Sequence, residues 1–490
     1  MISNHRAKKL SNMLYSDEQI DKEKITQDFL LFRECLESLH PSLYRYRKQD
    51  EFEEMLNKVV ESFSEEMKPI DFYKCLAPLI SFIGDGHTSI LPNSLFIEEL
   101  KNKSGVFPLK PIFVNKRFLI AQNYTKFEQL NQNCEVISID GISIKEIVDS
   151  LFNYIQIDGI GNERKYRKLE RSFHVLYTLI YGPKTEFIIE FKSLDKEGIS
   201  NIAVKSVNTE EIEQINKIRY PEELYKPLYN LKFHDDNNIA IITIRSFLNG
   251  KKYAKVFKDK QYKKEGKLSK FLKQSFSLIE KKEINNLIID IRDNDGGKKT
   301  NSILLYTYLS REPFNFYKDC YIKKKCYQFL KKNKKIIDSF IVKTLPKLSI
   351  EGEYYKFDNY FFMKSLYKTH NLKSNSFTGE IYILINGRTF SAAGEFAAIN
   401  HNSQRAFIIG EETSAGYLGN TAGHIVRIEL PNSKIRLFIP ILQFNNNLDS
   451  DKSNHGIIPV YKKEQTIDDF ISDKDSVLEY TLNLIAKKSL

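Results

Sequence analysis

The chain has 490 residues, 41% hydrophobic and 28% charged, a balance that is ordinary for a soluble globular protein. This length predicts about three domains and ample material for a sizeable core. The formal net charge of +11 comes mostly from lysine, concentrated at 251–273 and 323–335 without the interleaved arginine and glycine of a nucleic-acid platform. We therefore predict no nucleic-acid partner, while an acidic substrate or an anionic surface remains open.

Cysteine usage and hydrophobic runs exclude further classes of protein. The five cysteines are odd in number, widely scattered and without metal-ligand spacing, which argues against a disulfide framework. We predict no metal and no cofactor. No run approaches ~20 consecutive apolar residues, and the first residues lack the apolar core of a secretory signal. We therefore predict no stable membrane insertion, with a cytoplasmic location as the default expectation.

Residues 1–100 are predicted to form a helical domain. Apolar residues recur there at helical spacing in three segments, which are Lys24–Leu39, Phe52–Phe63 and Pro69–Ile83. The third segment stops at Gly84 and leads into the turn Gly84-Asp85-Gly86-His87-Thr88. Of the nine histidines, only His87 stands among glycines between a helix end and a strand-like run. A loop histidine is usually only solvated, so this position alone is weak evidence for catalysis.

Residues 106–205 change character and are predicted to form a small mixed domain. Strand-like runs at 112–114, 118–120, 135–141 and 185–191 surround two helical patterns. The predicted helices are Ile144–Phe152 and Glu163–Tyr181. The segment 206–231 contains two prolines, Pro221 and Pro227, and is interpreted as a linker.

From residue 232 to 490 strands and helices alternate, which favours a single α/β core. The predicted strands are Ile239–Ile244, Leu287–Ile291, Ile381–Ile385, Ala406–Ile409, His424–Leu430 and Ile435–Phe444. The predicted helices are Leu268–Lys281, Thr300–Ser310, Ala392–Asn400 and Asp475–Ala486. An insertion rich in lysine and tyrosine, 311–378, interrupts the series and is interpreted as a lid or as a decoration.

One strand end in this core carries a hydroxyl suited to acyl transfer. The predicted strand Ile381–Ile385 leads through a short turn into a helix, which places Ser391 at a helix N-terminus. Sites of open α/β sheets lie at such strand ends. The alternative is that Ser391 is only the N-cap of the helix. A full capping box would need Glu or Gln at the position of Gly394, so the cap explains less than it could.

A second strand end offers backbone donors. The predicted strand Leu287–Ile291 runs into Asp295-Gly296-Gly297, where missing Cβ atoms let amide groups approach a ligand closely. The alternative is that the two glycines only form a turn. A nucleophile on one strand end and amide donors on another are the two halves of an acyl-transfer site.

Six segments in chain order resemble the tail-specific or C-terminal processing serine peptidases, in the branch that includes the tricorn protease core. They are Leu39-His40-Pro41-Ser42-Leu43-Tyr44, Gly84-Asp85-Gly86-His87-Thr88, Glu135-Val136-Ile137-Ser138-Ile139-Asp140-Gly141, Ile289-Asp290-Ile291-Arg292-Asp293-Asn294-Asp295-Gly296-Gly297, Thr389-Phe390-Ser391-Ala392-Ala393 and His455-Gly456-Ile457-Ile458-Pro459. The resemblance covers nearly the whole chain. It implies an α/β fold with a crotonase-like (ClpP/crotonase ββα) core at 232–490, an N-terminal helical domain at 1–100 and a divergent PDZ-like domain at 106–205.

The resemblance also implies which groups carry the chemistry. It makes Ser391 the nucleophile, and it makes the oxyanion hole from the amide of Ala392 together with one amide of Gly296 or Gly297. The helix N-terminus and two amides would stabilise the negative charge of a tetrahedral intermediate. Which of the two glycines donates stays open.

The resemblance also suggests the general base and the acidic residue that would orient it, because this chain departs from the commonest family pattern. Many members have the lysine of a Ser-Lys dyad where this chain has Gly416, so His87 becomes the expected base, as in the histidine-using branch. An imidazole can take the proton of a serine hydroxyl near neutral pH. That branch also has an acidic residue shortly before the C-terminal Gly-x-x-Pro segment. Asp449 and Asp451 are the candidates here.

We therefore predict a serine endopeptidase that acts on peptides or unfolded proteins through an acyl-enzyme on Ser391, with homo-oligomerisation left open. Relatives are commonly exported. One alternative is a catalytically inactive peptide- or lipid-binding protein on the same scaffold. Another is an acyl-CoA enzyme of crotonase type, which would need no serine with a matching histidine.

Overall fold

The computed structural model describes residues 19–94, 96, 98, 105–234, 238–333, 349–356, 363–449 and 453–488. Over these ranges the chain is a mixed α/β protein built on three six-stranded sheets and one two-stranded sheet. The two-stranded sheet pairs Ile20–Asp21 with Glu66–Met67. Of the helices in the described ranges, none is both long enough and apolar enough to cross a membrane.

Three helices form the N-terminal unit at the predicted places, namely Lys22–Leu39, Gln49–Glu61 and Pro69–Ile83. The side chain of Asp21 caps the first helix, and a proline begins the third. Their apolar faces pack into the main hydrophobic core. The third helix ends at Gly84, whose φ of 73° is a left-handed conformation that glycine adopts at low cost. The chain therefore turns sharply into the loop that carries His87.

The next unit is an antiparallel sheet with two helices. Its strands are Leu109–Val114, Arg117–Asn123, Cys134–Ile139, Ile142–Ser143, Glu186–Ser193 and Ser200–Lys205. Its helices are Ile144–Phe152, which matches the prediction, and Lys165–Tyr181. Phe107, Phe118 and Phe173 meet edge to face between sheet and helix, with ring centroids 5.1 to 6.5 Å apart. Large aromatic side chains therefore fill this smaller core.

The segment 206–231, interpreted as a linker, is largely structured, which corrects that interpretation. It contains helix Thr209–Arg219, capped by the side chain of Asn208. Arg219 donates to the carbonyls of Asn123 and Thr125 at 2.9 and 2.6 Å, which ties the helix to the preceding sheet. Both prolines of the segment follow the helix and do not interrupt it.

A largely parallel sheet forms the centre of the C-terminal region. In spatial order its strands are Tyr229–His234, Ile239–Ile244, Asn286–Asp290, Glu380–Ile385, Phe407–Gly410 and Tyr461–Lys462. Only the first of them runs antiparallel to its neighbour. The accompanying helices are Gly250–Val256, Leu268–Lys281, Lys299–Tyr306, Lys324–Lys332, Lys364–Tyr367, Ala392–Asn402, Ile467–Ile471 and Ser476–Lys488. Because parallel strands share one carboxyl-end edge, the loops after residues 244, 290, 385 and 410 meet there.

The last long strands of the predicted α/β core lie outside the parallel sheet. Gly419–Glu429 and Arg436–Asn446 pair as an antiparallel hairpin, which needs only a short turn, whereas a parallel pair needs a crossover. The hairpin belongs to a second sheet. The other strands of that sheet are Tyr317–Lys323, Tyr354–Lys356, Ser349–Glu351 and Ser89–Leu91.

The insertion 311–378 contributes strands to this second sheet, so neither a lid nor a decoration describes it as a whole. Strand Tyr317–Lys323 pairs directly with Arg436–Asn446. The parts at 334–348 and 357–362 lie outside the described residues. Strand Ser89–Leu91 pairs with the other end of the same long strand, with Ser89 opposite Phe438. This pairing fastens the His87 loop to the C-terminal region.

Candidate active site

Ser391 lies between a buried strand and a buried helix, as predicted. Strand Glu380–Ile385 ends, a turn follows, and helix Ala392–Asn402 begins directly after Ser391. The hydroxyl of Thr389 donates to the carbonyl of Ile291 at 3.0 Å and fastens the turn to the neighbouring strand. Ser391 has φ 53° and ψ −129°, a backbone conformation that costs a residue with a side chain roughly 1–3 kcal/mol. The surrounding contacts must therefore hold this strained turn.

The hydroxyl of Ser391 does not cap its helix. Ser391 occupies the N-cap position without any side-chain capping hydrogen bond, so the N-cap alternative is wrong. Its Oγ instead lies 3.1 Å from Nε2 of His87, a residue 304 positions earlier in the chain. This is a hydrogen-bond distance between a hydroxyl and an imidazole. The fold thus brings together the two side chains that were expected to act together.

The glycine turn of the neighbouring strand packs directly on Ser391. A Cβ at Gly296 would lie 2.6 Å from Cβ of Ser391 and 2.9 Å from the amide nitrogen of Ala392, so only glycine fits. The amide of Gly296 already donates to Oδ1 of Asn294 at 2.8 Å. Among the described residues, the amides of Gly297 and Ala392 have no acceptor. Gly296 therefore permits the close approach, and Gly297 supplies the free donor.

Aromatic packing and one amide fix the ring of His87. It lies against Phe390, with ring centroids 4.6 Å apart and planes at 30°. The ammonium group of Lys168 lies 4.1 Å from the centroid of the same Phe390 ring. The main-chain amide of His87 donates to Oδ1 of Asp85 at 3.0 Å. These contacts hold the ring with Nε2 toward the hydroxyl of Ser391.

The surroundings of His87 favour its neutral form. Burial lowers the pKa of His87 to about 4; the charge of Asp85 opposes this shift, and Lys299 and Lys168 add to it. The imidazole is therefore neutral at pH 7, as a proton acceptor must be. Its second nitrogen, Nδ1, is buried and has no hydrogen-bond partner among the described residues.

Asp85 is the centre of a buried network behind the His87 loop. Nε2 of His40 lies 2.6 Å from its Oδ2, and the hydroxyls of Thr88 and Thr421 each donate to it at 2.7 Å. Burial alone would raise the pKa of Asp85, but the hydrogen bond and charge interaction with His40 hold that pKa well below its usual range. The network therefore keeps an ionised carboxylate beside the loop.

A second buried carboxylate, Asp158, reaches the same loop from the middle region of the chain. Its Oδ1 accepts from the amide of Gly86 at 2.8 Å, and its Oδ2 accepts from the amide of Gly416 at 3.1 Å. One ring nitrogen of His87 and one oxygen each of Asp85 and Asp158 lie within 4.8 Å of one another. Burial raises the pKa of Asp158 to about 6, and the charge of Asp85 adds to the rise.

In the described ranges, one group of side chains has ligand atoms close enough to share a metal ion, namely Asp85, His87 and Asp158. Both oxygens of Asp85 already accept hydrogen bonds, so a cation would have to displace them. The three side chains therefore fit a hydrogen-bond network better than a metal centre. Asp158 was not among the residues predicted from the sequence, where its one signal is a carboxylate between an apolar residue, Ile157, and a glycine.

The acidic residues expected near the C-terminus do not join this group in the described structure. Asp449 is exposed, and its Oδ2 accepts from Asn402 at 3.1 Å. Asn402 ends the 11-residue helix that begins after Ser391, and at about 1.5 Å per residue the two ends are roughly 16 Å apart. The expectation for Asp449 is thereby corrected, since its partner lies at the opposite end of that helix. Asp451 lies outside the described residues.

Gly416, where a Ser-Lys dyad would have its lysine, is closely surrounded. A Cβ there would collide with the hydroxyl of Tyr46 and would lie 3.1 Å from the carbonyl oxygen of Gly419. Cβ of Asp158 would be 3.3 Å away. Tyr46 and Asp158 thus occupy the space that a lysine side chain would need.

An ion pair with little solvent exposure links the glycine turn to the Ser391 helix. Lys299, two residues after Gly297, pairs with Glu395, which lies one turn after Ser391. Glu395 is fully buried and also accepts from the hydroxyl of Tyr317 at 2.5 Å. Because the pair spans both strand ends, it holds the amide donors in register with the serine.

We expect Glu395→Ala to lower the free energy of unfolding by about 3–5 kcal/mol, because it leaves Lys299, whose side chain is only 12% exposed, without its ion-pair partner. Urea denaturation measures this loss. The double variant Glu395→Leu with Lys299→Met removes both charges and should regain most of it. Equal destabilisation of the single and the double variant would show that the pairing of charges is not the cause.

Comparisons with known proteins agree with this geometry. Residues 238–462 match the sequence model of peptidase family S41. The fold is similar to mature CPAF complexed with lactacystin, with a TM-score of 0.63 at 14% identity, covering 95% of this chain and 98% of that one. A further structure of mature CPAF gives a TM-score of 0.62 at 15% identity, covering 95% and 97%. No curated protein matches the chain. At such identities the structural likeness shows the fold alone.

The chain is a serine-type peptidase, and thus a hydrolase, because the sequence match is to a family of such enzymes. That family is peptidase family S41, to which residues 238–462 belong. The resemblance to tail-specific and C-terminal processing peptidases is thereby confirmed. The matched region contains Ser391, Ala392 and both glycines, whereas His87 and Asp158 lie outside it.

Proposed function

We propose that the protein is an endopeptidase that cleaves peptides or unfolded proteins through an acyl-enzyme on Ser391, with His87 as general base. The 3.1 Å distance between Ser391 Oγ and His87 Nε2 carries the proposal. A serine hydroxyl is a weak nucleophile and needs an adjacent base, which must be unprotonated at the working pH. The low pKa of His87 meets the second requirement.

The site provides an acceptor for the proton of Ser391 and hydrogen-bond donors for the negative charge that develops on the substrate. As Ser391 Oγ attacks the scissile carbonyl carbon, its proton moves to His87 Nε2 and negative charge grows on the carbonyl oxygen. The amides of Ala392 and Gly297 would donate to that oxygen, and losing one such donor typically costs about 2.7–4 kcal/mol of barrier. His87 then gives the proton to the leaving amine. A water that His87 deprotonates releases the acyl group from Ser391.

Asp158 is the positioning residue for His87 in this proposal. Nδ1 of His87 is buried without a described partner, and an oxygen of the Asp158 carboxylate lies within 4.8 Å of one ring nitrogen of His87. One water can bridge such a gap, so we assign the carboxylate to Nδ1. Each oxygen of Asp158 accepts one amide and keeps a lone pair, whereas each oxygen of Asp85 accepts from at least two donors. Asp158 therefore takes the place that the sequence analysis gave to Asp449 and Asp451.

We expect Asp158→Asn to reduce kcat about tenfold or more with KM nearly unchanged, since the imidazolium formed in the transition state loses its countercharge. Replacing a directly bonded acid costs about 10⁴-fold, so an acid acting through water should cost less. Steady-state kinetics on a short peptide measure the separate effects on kcat and KM. Glu412→Gln, which alters a carboxylate on the adjacent loop, should leave kcat unchanged. A rise in KM with constant kcat would remove Asp158 from this role.

The low pKa of His87 predicts activity that persists in mild acid. Above its pKa the imidazole can accept a proton and below it cannot, so kcat/KM should fall steeply only near pH 4, whereas an unshifted imidazole would give a limb at about 6.5. Protonation of Asp158, whose pKa is about 6, should add a shallow step that Asp158→Asn removes. The profile is measured where circular dichroism shows folded protein. A single steep limb near 6.5 would contradict the argument.

The finer fold assignment belongs to the same proposal. The hairpin Tyr229–His234 and Ile239–Ile244 is followed, after two short helices, by the longer helix Leu268–Lys281. This ββα order supports a crotonase-like core at 232–490, with the first strand beginning three residues earlier. The antiparallel sheet with two helices supports a PDZ-like domain at 106–205. The three N-terminal helices support a helical domain at 1–100. A PDZ-like domain would take an extended peptide by adding a strand to its edge. Strand Ser200–Lys205 is such an edge and is mostly exposed.

A serine-directed phosphonate probe separates this function from a catalytically inactive peptide- or lipid-binding protein. We expect one label, located on Ser391 by peptide mass spectrometry and absent from Ser391→Ala. Lactacystin, with which mature CPAF was solved in complex, should compete for the site. A folded chain that neither takes the label nor cleaves an unfolded protein would favour the binding protein. Binding to a CoA resin without labelling would favour the acyl-CoA enzyme.

A further inference from the structure

The segment 250–273 forms a compact surface unit, called here the lysine patch. It consists of helix Gly250–Val256, the 3₁₀ helix Lys260–Glu265 and the first turn and a half of helix Leu268–Lys281. The amide of Gly250 donates to the carbonyl of Gly266 at 2.9 Å, which packs the first two pieces together. The lysines on these pieces therefore lie close together within one packed unit.

The charge of this patch is large and unpaired. All ten of its lysines are exposed, and none forms an ion pair within the described part of the chain. They are Lys251, Lys252, Lys255, Lys258, Lys260, Lys263, Lys264, Lys267, Lys270 and Lys273. The span contains two acidic residues and no arginine. The patch thus holds a large share of the +11 net charge of the chain.

Two large apolar side chains stand among these lysines. Val256 and Phe257 are consecutive and are 50% and 42% exposed. Among the residues that the structure describes, the ring of Phe257 contacts that of Tyr253, with centroids 4.3 Å apart. Exposed apolar area surrounded by unpaired charge of one sign points to a partner that offers both an opposite charge and an apolar layer.

We propose that the lysine patch docks the protein on an anionic lipid surface. Lysines near such a surface are attracted to its headgroups without any geometric match, and Val256 with Phe257 can enter the boundary between headgroups and acyl chains. An acidic protein segment would neutralise the lysines but leave the apolar pair in water. A nucleic-acid site would be expected to use arginine and several exposed stacking aromatics. The patch contains no arginine, and Phe257 is its one exposed aromatic side chain.

The position of the patch gives docking a consequence for the site. The patch begins directly after the loop whose Phe247 amide donates to the carbonyl of Gly296 at 2.9 Å. A docked molecule would hold the sheet edge that carries Ser391 close to the lipid surface. Preferential cleavage of substrates at that surface rests on the proposed function, whereas docking itself does not.

Vesicle co-sedimentation of the full chain tests the docking. We expect binding to phosphatidylcholine vesicles with about 30% phosphatidylglycerol, weakening above about 0.1 M salt, and no binding to phosphatidylcholine alone. The variant with Lys251, Lys252, Lys255 and Lys258 changed to Gln should bind about tenfold or more weakly. A matched control changes the exposed Lys196, Lys205, Lys217 and Lys474 to Gln, removes the same charge, and should bind within about twofold of the unchanged protein.

A second pair of variants tests the contribution of the exposed apolar side chains, Val256 and Phe257. Phe257→Ser should weaken vesicle binding several-fold, whereas Ile218→Ser, at a side chain that is 80% exposed outside the patch, should not. Circular dichroism shows whether each variant folds, independently of any peptidase activity. Absence of binding to anionic vesicles, or equal losses in the two lysine variants, would overturn the proposal. Binding to duplex DNA or polyglutamate in place of vesicles would also overturn it.

Discussion

Ser391→Ala is expected to reduce the rate of cleavage of an unfolded protein by roughly 10⁴-fold or more, with the fold intact. The reason is that the hydroxyl 3.1 Å from His87 is the only group proposed to form the covalent bond to the substrate. The measurement is single-turnover cleavage of a chemically unfolded protein. Affinity for the substrate should change little, because alanine keeps the backbone turn and leaves the free amides of Ala392 and Gly297 in place.

The matched control is Ser403→Ala, which removes a hydroxyl from the C-terminal cap of the same helix. That hydroxyl accepts from Tyr306 at 2.9 Å, so this variant should lose stability and keep the activity of the folded fraction. If Ser391→Ala kept full activity, the 3.1 Å contact between Ser391 Oγ and His87 Nε2 would have a structural role only. The peptidase chemistry would then have to use another nucleophile.

His87→Ala is expected to be about as damaging, at roughly 10⁴-fold or more in kcat, because without a base the serine hydroxyl keeps its proton. Groups that act as one unit are not additive, so the double variant with Ser391→Ala should be no slower than either single variant. Added imidazole should restore part of the activity of His87→Ala and none of Ser391→Ala. Rates with and without imidazole, on a short peptide, decide this.

His401→Ala serves as the control, since it removes a partly buried imidazole from the far end of the Ser391 helix. It should leave kcat within about twofold of the unchanged enzyme, as expected for a residue that touches no reacting atom. Comparable losses in His401→Ala and His87→Ala would indicate general destabilisation. Multiplicative losses in the double variant would mean that the two residues act independently.

Local signals in the sequence were sufficient for most elements. Proline at position 69 and glycine at position 84 bound the third helix where the periodicity predicted it. The strand and helix around Ser391 were likewise predicted to within two residues. Such signals act over a few residues, through capping, missing amides and side-chain periodicity, so one sequence contains them in full.

Errors arose where partners are distant in the chain. The long strands 419–429 and 436–446 showed the right composition for the core, but only pairing with 317–323 and 89–91 assigned them to a second sheet. Asp158 looked like an ordinary loop aspartate because the amides that it accepts, those of Gly86 and Gly416, are 72 and 258 positions away. Asp449 was chosen by analogy of position, and its contact with Asn402 could not be read from spacing.

The sequence by itself determined the elements, the two strand ends with their serine and glycines, and the histidine among glycines, since residue types and short spacings carry that information. Only the tertiary structure decided that His87 reaches Ser391, that Gly297 rather than Gly296 has the free amide, and that Asp158 is the carboxylate with lone pairs to spare. These are distances between groups far apart in the chain. They depend on sheet pairing, helix packing and the burial of charge, which act through space and leave no local pattern.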